Sequence, residues 1–372
     1  MADLVCLATV INSWQTLGRN MSALKDLLTR LIQADGPMPV STFMTLCLHH
    51  RDFGYYATRP GVGRDFITAP ESSQVFGDMI GLWLAQCWSD LGRPSSLQLA
   101  ELGPGRATLM ADALRATRPI DGFHAALSLS LVEASPPLRS LQAEKLEAYG
   151  PGWIEDISEL APGPALILAN EYLDCLPPRQ FVHTGDAWCE RMIGLTPSGT
   201  LAFGLSKGGP PIGEQPLPDG KTTKLEIQPG LETLTEHLRL RADAGHPFAA
   251  LFIDYGPATT PPGDTLRAYY QGRQIDPLAR PGDSDLTVDV DFARLAHLGR
   301  QAGLSVHGPV QQGPFLLSLG AEAHLNRLAR TAPDGGEALY RATRRLIDPE
   351  EMGARFKVIC LSHGLNFTPV GF

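Results

Sequence analysis

The stretch Leu97-Gln98-Leu99-Ala100-Glu101-Leu102-Gly103-Pro104-Gly105-Arg106-Ala107-Thr108-Leu109 constrains the fold more than any other part of the chain. It opens by alternating apolar and polar residues, the pattern of a strand. It then reaches an acid, turns on two glycines and runs into a helix from Leu109 to Ala116. A strand that ends in Glu-x-Gly-x-Gly and opens a helix suits nucleotide binding. The glycines admit a ligand where a Cβ would collide, and the helix N-terminus adds free N–H groups and the positive end of a dipole. The same turn also occurs with a purely structural role. Thr108 stands where a dinucleotide fingerprint has its third glycine, and the Gly-Lys-Ser/Thr of a P-loop is missing. The acid before the turn points to a cationic ligand. S-adenosyl-L-methionine, with its ammonium and sulfonium, fits that description.

Beyond this turn the chain keeps alternating strand and helix. Ala126 to Glu133 is a second strand ending on an acid, followed by a helix from Pro137 to Ala148. In a doubly wound sheet that acid sits beside the ribose of a ligand held by the first turn. Glu133 is therefore a ribose candidate, its alternative role being a solvated strand end. Trp153 to Asp156 is a short strand that directs Asp156 toward an adenine ring. Ala165 to Ala169 is continuously apolar, as in the buried middle of a parallel sheet. It ends in Asn170-Glu171-Tyr172-Leu173-Asp174-Cys175-Leu176-Pro177-Pro178, and strand carboxyl ends are where this architecture binds ligands. Asn170, Glu171 and Asp174 are thus the candidates for the reacting end, against a reading in which Asn170 or Asp174 caps a helix.

The period then changes. Residues 179–183, 188–195 and 201–203 alternate, with Gly185-Asp186 and Ser198-Gly199 as turn signals. They predict an antiparallel meander with its loop, inserted at about 179–229. A helix from Leu231 to Ala244 and a fifth strand, Phe248 to Gly256, return the chain to the core. Residues 257–286 read as a long irregular run before a helix starting near Asp291. Ser305 to Val310 and Phe356 to Leu361 close the sheet as an antiparallel pair.

Three regions result: an extension over 1–20, a helical N-terminal and lid region over 21–92, and the α/β domain over 93–372. The extension has an apolar patch but only one arginine and no basic start, which spoils both a signal peptide and a presequence. Between helices starting at Ser22, Val40 and Gln74 lies an aromatic, glycine-rich stretch, His50 to Glu71. Phe53, Tyr55, Tyr56, Phe66 and Ile67 there form either a satellite core or a lid over the nucleotide. A net charge of −9 disfavours a nucleic-acid partner and suits a basic one, such as an arginine-bearing protein segment. The six cysteines are scattered without a Cys-x-x-Cys, as in a reduced cytoplasmic protein, and give neither zinc site nor disulfide frame. No metal-ligand cluster stands out, and no apolar run approaches the ~20 residues of a membrane span.

Asp65-Phe66-Ile67-Thr68-Ala69-Pro70-Glu71, Glu101 to Arg106, Val132-Glu133, Ala169 to Pro177 and Ile253 to Gly256 together resemble the MidA-type methyltransferases. Gly313 to Leu317 and Met352 to Val358 extend the resemblance to the C-terminal part of the chain. It implies a class I, Rossmann-like methyltransferase with a seven-stranded mixed sheet and S-adenosyl-L-methionine as cofactor. Mitochondrial members of that family are complex I assembly factors that dimethylate an arginine of a complex I subunit, so the resemblance implies a protein arginine acceptor. Cofactor contacts are expected from Asp65, Phe66, Thr68, Pro70, Glu101, Gly103, Gly105, Arg106, Glu133, Asp156 and Asn170. Glu171 and Asp174 are the candidates to clamp a guanidinium. The Asn/Asp-Pro-Pro-aromatic run of adenine methyltransferases is missing at this strand end, where Glu171-Tyr172 follows Asn170. Ala107 replaces a family glycine, and its methyl is expected to narrow the methionine pocket; Ser72 replaces an apolar lid residue. The alternatives are an enzyme of the same fold with another acceptor, and a cofactor-binding assembly chaperone with little turnover.

Overall fold

The computed structural model describes residues 23–58, 68–185, 187–207, 224–261, 263–332 and 336–372. The expected extension over 1–20, and Asp65, Phe66 and Ile67 of the lid stretch, lie outside these residues. Seven strands form the central sheet: β1 (Leu97–Leu102), β2 (Leu127–Val132), β3 (Gly152–Ile154), β4 (Ala165–Asn170), β5 (Phe248–Tyr255), β6 (Ser305–Gln311) and β7 (Phe356–His363). Their spatial order is β6-β7-β5-β4-β1-β2-β3, and β7 runs antiparallel to both of its neighbours. The other contacts, from β5 through β3, are parallel. This is the seven-stranded mixed sheet that the sequence leads one to expect.

Strand alternation sorts the buried side chains into two cores. Leu97, Leu99, Leu166, Leu168, Leu251 and Ile253 face one side of the sheet and pack with helices α3 (Gln74–Asp90) and α4 (Thr108–Thr117). Ala100, Leu102, Ile167, Ala169, Ala250 and Phe252 face the other, under α6 (Pro229–Asp243) and α7 (Phe292–Gln301). Because both faces are covered, β1, β4 and most of β5 are apolar and buried almost throughout. The remaining numbered helices are α1 (Ala23–Asp35), α2 (Val40–His49) and α5 (Pro136–Lys145). Ser73 Oγ and Asp291 cap α3 and α7 by accepting from the N–H groups of Val75 and Arg294.

The inserted meander is present as Arg179–His183, Trp188–Leu195 and Leu201–Leu205. Lys224–Ile227 pairs with Arg179–His183, and Met38–Pro39 pairs with Trp188–Leu195, so this sheet has five strands. The run 257–286 is not irregular throughout. Arg267–Tyr270, Arg273–Ile275 and Asp285–Thr287 make a three-stranded antiparallel sheet, its hairpin turning on Gln271 and Gly272, both with positive φ. Such short strands carry too few alternations to register as a period. Leu24, Leu28, Phe43 and Met44 of α1 and α2 bury themselves against Ile193, Ala268 and Leu286 of these smaller sheets, forming a third core. Among the described residues, no helix is long and apolar enough to cross a membrane, and no cluster of metal-ligating side chains occurs.

Candidate active site

A cleft of about 780 Å³ opens at the carboxyl ends of β1, β2 and β4, the place where a doubly wound sheet takes its ligand. The glycine turn forms its floor. Gly103 and Gly105 have φ of +62° and +51°, values that cost a residue bearing a Cβ about 1–2 kcal/mol. A Cβ on Gly103 would stand 2.8 Å from the Tyr172 ring, whereas one on Gly105 would meet nothing within 4 Å. Gly103 therefore permits close packing, and Gly105 leaves ligand space open. Ala107 follows at φ +55° but is fully buried in the core between sheet and helices. It is not among the residues that line the cleft, although its neighbours Arg106 and Thr108 are.

Two buried acceptors in the cleft wall have no hydrogen-bond partner: Glu101 Oε2 and Asn170 Oδ1. An unmet buried carboxylate is costly, and burial pushes the Glu101 carboxyl up to about 8. A ligand ammonium is a donor that could satisfy such an acceptor. The residues present thus fit a cationic amino-acid end of a cofactor. Glu133, at the end of β2, accepts from Ser135 N at 2.8 Å and from Gln142 Nε2 at 3.1 Å, and burial raises its pKa. A carboxylate has about four lone-pair sites, so two remain for a pair of ribose hydroxyls.

Gln142 escapes a motif search but ties the wall together. Its Nε2 also donates to the Gly105 carbonyl at 2.8 Å, while its Oε1 accepts from Trp153 Nε1 at 2.8 Å. A fully buried glutamine between Leu138 and Leu146, one turn away on either side, is the signal that would have found it. Thr68 and Pro70 line the cleft beside Glu71, and Arg106 stands 3.9 Å from Glu71 at the rim. Asp156 is not among the residues that line the cleft. It caps the turn Ile157–Glu159 by accepting from Ser158 N at 2.8 Å, and its carboxylate lies 2.7 Å from His237 Nδ1. Its neighbour Glu155 lines the cleft instead, because the strand ends at Ile154, earlier than the sequence pattern implies.

The end of β4 separates its two acids. Glu171 lines the cleft with φ +52°, and its Oε1 accepts from Ala69 N at 3.1 Å and Asn170 Nδ2 at 3.2 Å. Burial, with a smaller push from Asp174, raises its carboxyl to about 7. Asp174 turns inward: its Oδ2 accepts from Tyr255 OH at 3.1 Å and Thr287 Oγ1 at 2.6 Å. Buried and already bonded, it stands behind the cleft wall, which corrects the expectation that it clamps an acceptor. Tyr56 and Cys175 close this end, with the tyrosine oxygen 2.8 Å from Cys175 Sγ and the Tyr56 carbonyl accepting from Ser135 Oγ at 3.0 Å.

Comparisons with known proteins agree with this geometry. A family model described as S-adenosyl-L-methionine-dependent methyltransferase matches residues 79–310. The chain is 35% identical to the "Protein arginine methyltransferase NDUFAF7 homolog, mitochondrial" of Drosophila melanogaster, over 92% of this chain and 85% of that one. To the human "Protein arginine methyltransferase NDUFAF7, mitochondrial" it is 32% identical, over 89% and 81%. A crystal structure from Burkholderia thailandensis with S-adenosyl-homocysteine bound superposes with a TM-score of 0.76 at 26% identity, covering 96% of this chain and 97% of that one. With a sheet, a glycine turn and a family match that agree along most of its length, the chain belongs to this family of S-adenosyl-L-methionine-dependent methyltransferases.

Proposed function

We propose that this methyltransferase transfers its methyl group to the side chain of an arginine in a protein, with Glu171 holding the guanidinium. The observation that carries the reading is the charge of the cleft. Asp52, Glu71, Glu101, Glu133, Glu155 and Glu171 line it, against two guanidinium groups, Arg51 and Arg106. Such a site attracts one cation as cofactor and a second as acceptor. The relatives named as protein arginine methyltransferases support the same acceptor, and the resemblance of the sequence suggests a subunit of the complex I type.

When bound, S-adenosyl-L-methionine supplies an electrophilic methyl for an in-line displacement. The protein's own work is positioning and the exclusion of water. Glu101 and Asn170 hold the ammonium end, the open backbone at Gly103 and Gly105 admits the chain, and Glu133 receives the ribose hydroxyls. Glu155 is within the cleft to meet the adenine edge. Arginine binds as a planar cation with five donors, and Glu171 fixes one edge of it by charge-assisted bonds. The guanidinium must lose a proton as it gains a methyl, and a carboxylate raised to about 7 is suited to receive it. Tyr56, Thr68 and Pro70, within the lid stretch, line the site.

Incubation with labelled cofactor and an extract of a strain lacking this gene, then mass spectrometry of the labelled peptides, tests the reading. Label on arginine is the expected result. Label confined to another residue type or to a small molecule replaces the acceptor, and no label on any component favours the chaperone alternative.

A further inference from the structure

Glu171 faces the cleft from a left-handed backbone conformation that glutamate disfavours, and such strain persists only where the surroundings impose it. The imposing group is identifiable. Asp254, at 1% exposure, lies beneath the loop that follows β4. Its Oδ2 accepts from the backbone N–H groups of Tyr172 (3.1 Å), Leu173 (2.8 Å) and Asp174 (3.2 Å), and its Oδ1 from Tyr255 N (2.9 Å). The N–H of Glu171 itself donates to the carbonyl of Ile253 at 2.9 Å. Four successive N–H groups, from 171 to 174, thus converge on two successive residues of β5.

We infer that Asp254 is the positioning residue of the acceptor site: its buried carboxylate gathers the N–H groups of residues 172–174 and thereby locks Glu171 in the conformation that presents its carboxylate to the cleft. Consecutive N–H groups wrapped around one acceptor form a nest, and here the acceptor is a side-chain oxygen. Asp254 does not line the cleft, and no cation among the described residues pairs with it. Its contacts are to backbone of this loop and to its own successor. Burial next to Asp174 and Glu171 pushes its carboxyl well above the usual carboxylate range, against the lowering by those N–H bonds, so the role rests on its geometry as an acceptor. The same loop sets Tyr172 against Gly103, so one carboxylate fixes the acceptor wall relative to the cofactor turn. Asp254 has this role only if Glu171 faces the acceptor as proposed above.

Two double-mutant cycles test it. In the first, turnover is followed with labelled S-adenosyl-L-methionine and extract of a strain lacking the gene. Asp254→Asn is expected to lower kcat about 100-fold while cofactor affinity stays within about threefold of wild type, since the cofactor contacts are left in place. Added to Glu171→Gln, it should lower kcat no further, because it acts through residue 171. Losses that multiply would overturn the inference. The second cycle uses denaturant midpoints of the full chain and needs no acceptor. In wild type, Asp254→Asn breaks bonds but frees Glu171 from its strain; in Glu171→Gly there is no strain to release. The midpoint should therefore fall less in wild type than in the Glu171→Gly background, and equal falls would overturn the inference. If wild type labels no protein, the role proposed for Glu171 fails, and the second cycle still decides whether Asp254 sets the conformation of residue 171.

Discussion

Glu101 is the residue whose state the cofactor must change. In the folded protein its carboxyl is raised to about 8, from 4.5 in the unfolded chain. The native state therefore holds a proton that the unfolded chain gives up in between. Stability from this site is complete below about pH 4.5 and declines as pH rises toward about 8. Binding a cation requires the charged form, so cofactor binding at pH 7 should release about one proton. Calorimetry in buffers of different ionisation enthalpy measures this, and the release should vanish in Glu101→Gln; no release in wild type would take Glu101 out of the cation site. Glu171 gives a second test at this scale. Glu171→Gln keeps the size and loses the charge, so turnover should fall about 100-fold or more while cofactor affinity stays nearly unchanged. Near-normal methylation by that variant would rule out the guanidinium contact.

At the scale of elements, the glycine turn should separate two effects that most substitutions mix. Gly103→Val places a branched side chain into the Tyr172 ring and into a left-handed φ, so it should abolish cofactor binding and lower the melting temperature. Gly105→Ala meets no protein atom; it should weaken binding by filling ligand space, at only about 1 kcal/mol of stability for its φ. Calorimetry with thermal denaturation on both variants checks this, and equal stability losses would contradict the assignment. This turn, the acids ending β1 and β2, and the apolar run of β4 were legible because each is local and periodic. What lay beyond the sequence was direction. Glu171 and Asp174 are three residues apart, yet one faces the cleft and the other Tyr255 and Thr287. Asp254 entered only as part of the Ile253 to Gly256 stretch, because its partners are backbone N–H groups some eighty residues earlier in the chain. Asp156 was misplaced by the same limit, since a short strand ending at Ile154 turns the next two side chains to opposite uses.

For the molecule as a whole, charge is the property that reaches the acceptor first. A chain of net −9 with an acid-lined cleft draws cationic segments by a long-range field. Raising salt from about 0.05 to 0.5 M shortens the screening length from roughly 14 to 4 Å. The KM for an arginine-bearing protein acceptor should then rise several-fold with kcat little altered, measured by steady-state turnover; a salt-independent KM would show that the field plays no part in capture. The packing of the sheet adds a different kind of constraint. β7 lies between β5 and β6, although it is made after every other strand. During synthesis, which proceeds at about 5–20 residues per second, β5 leaves the ribosome more than a hundred residues before its antiparallel neighbour exists. Its open edge must wait, and a reading-frame error ahead of Phe356 would remove not a loop but a strand held between two others in the sheet.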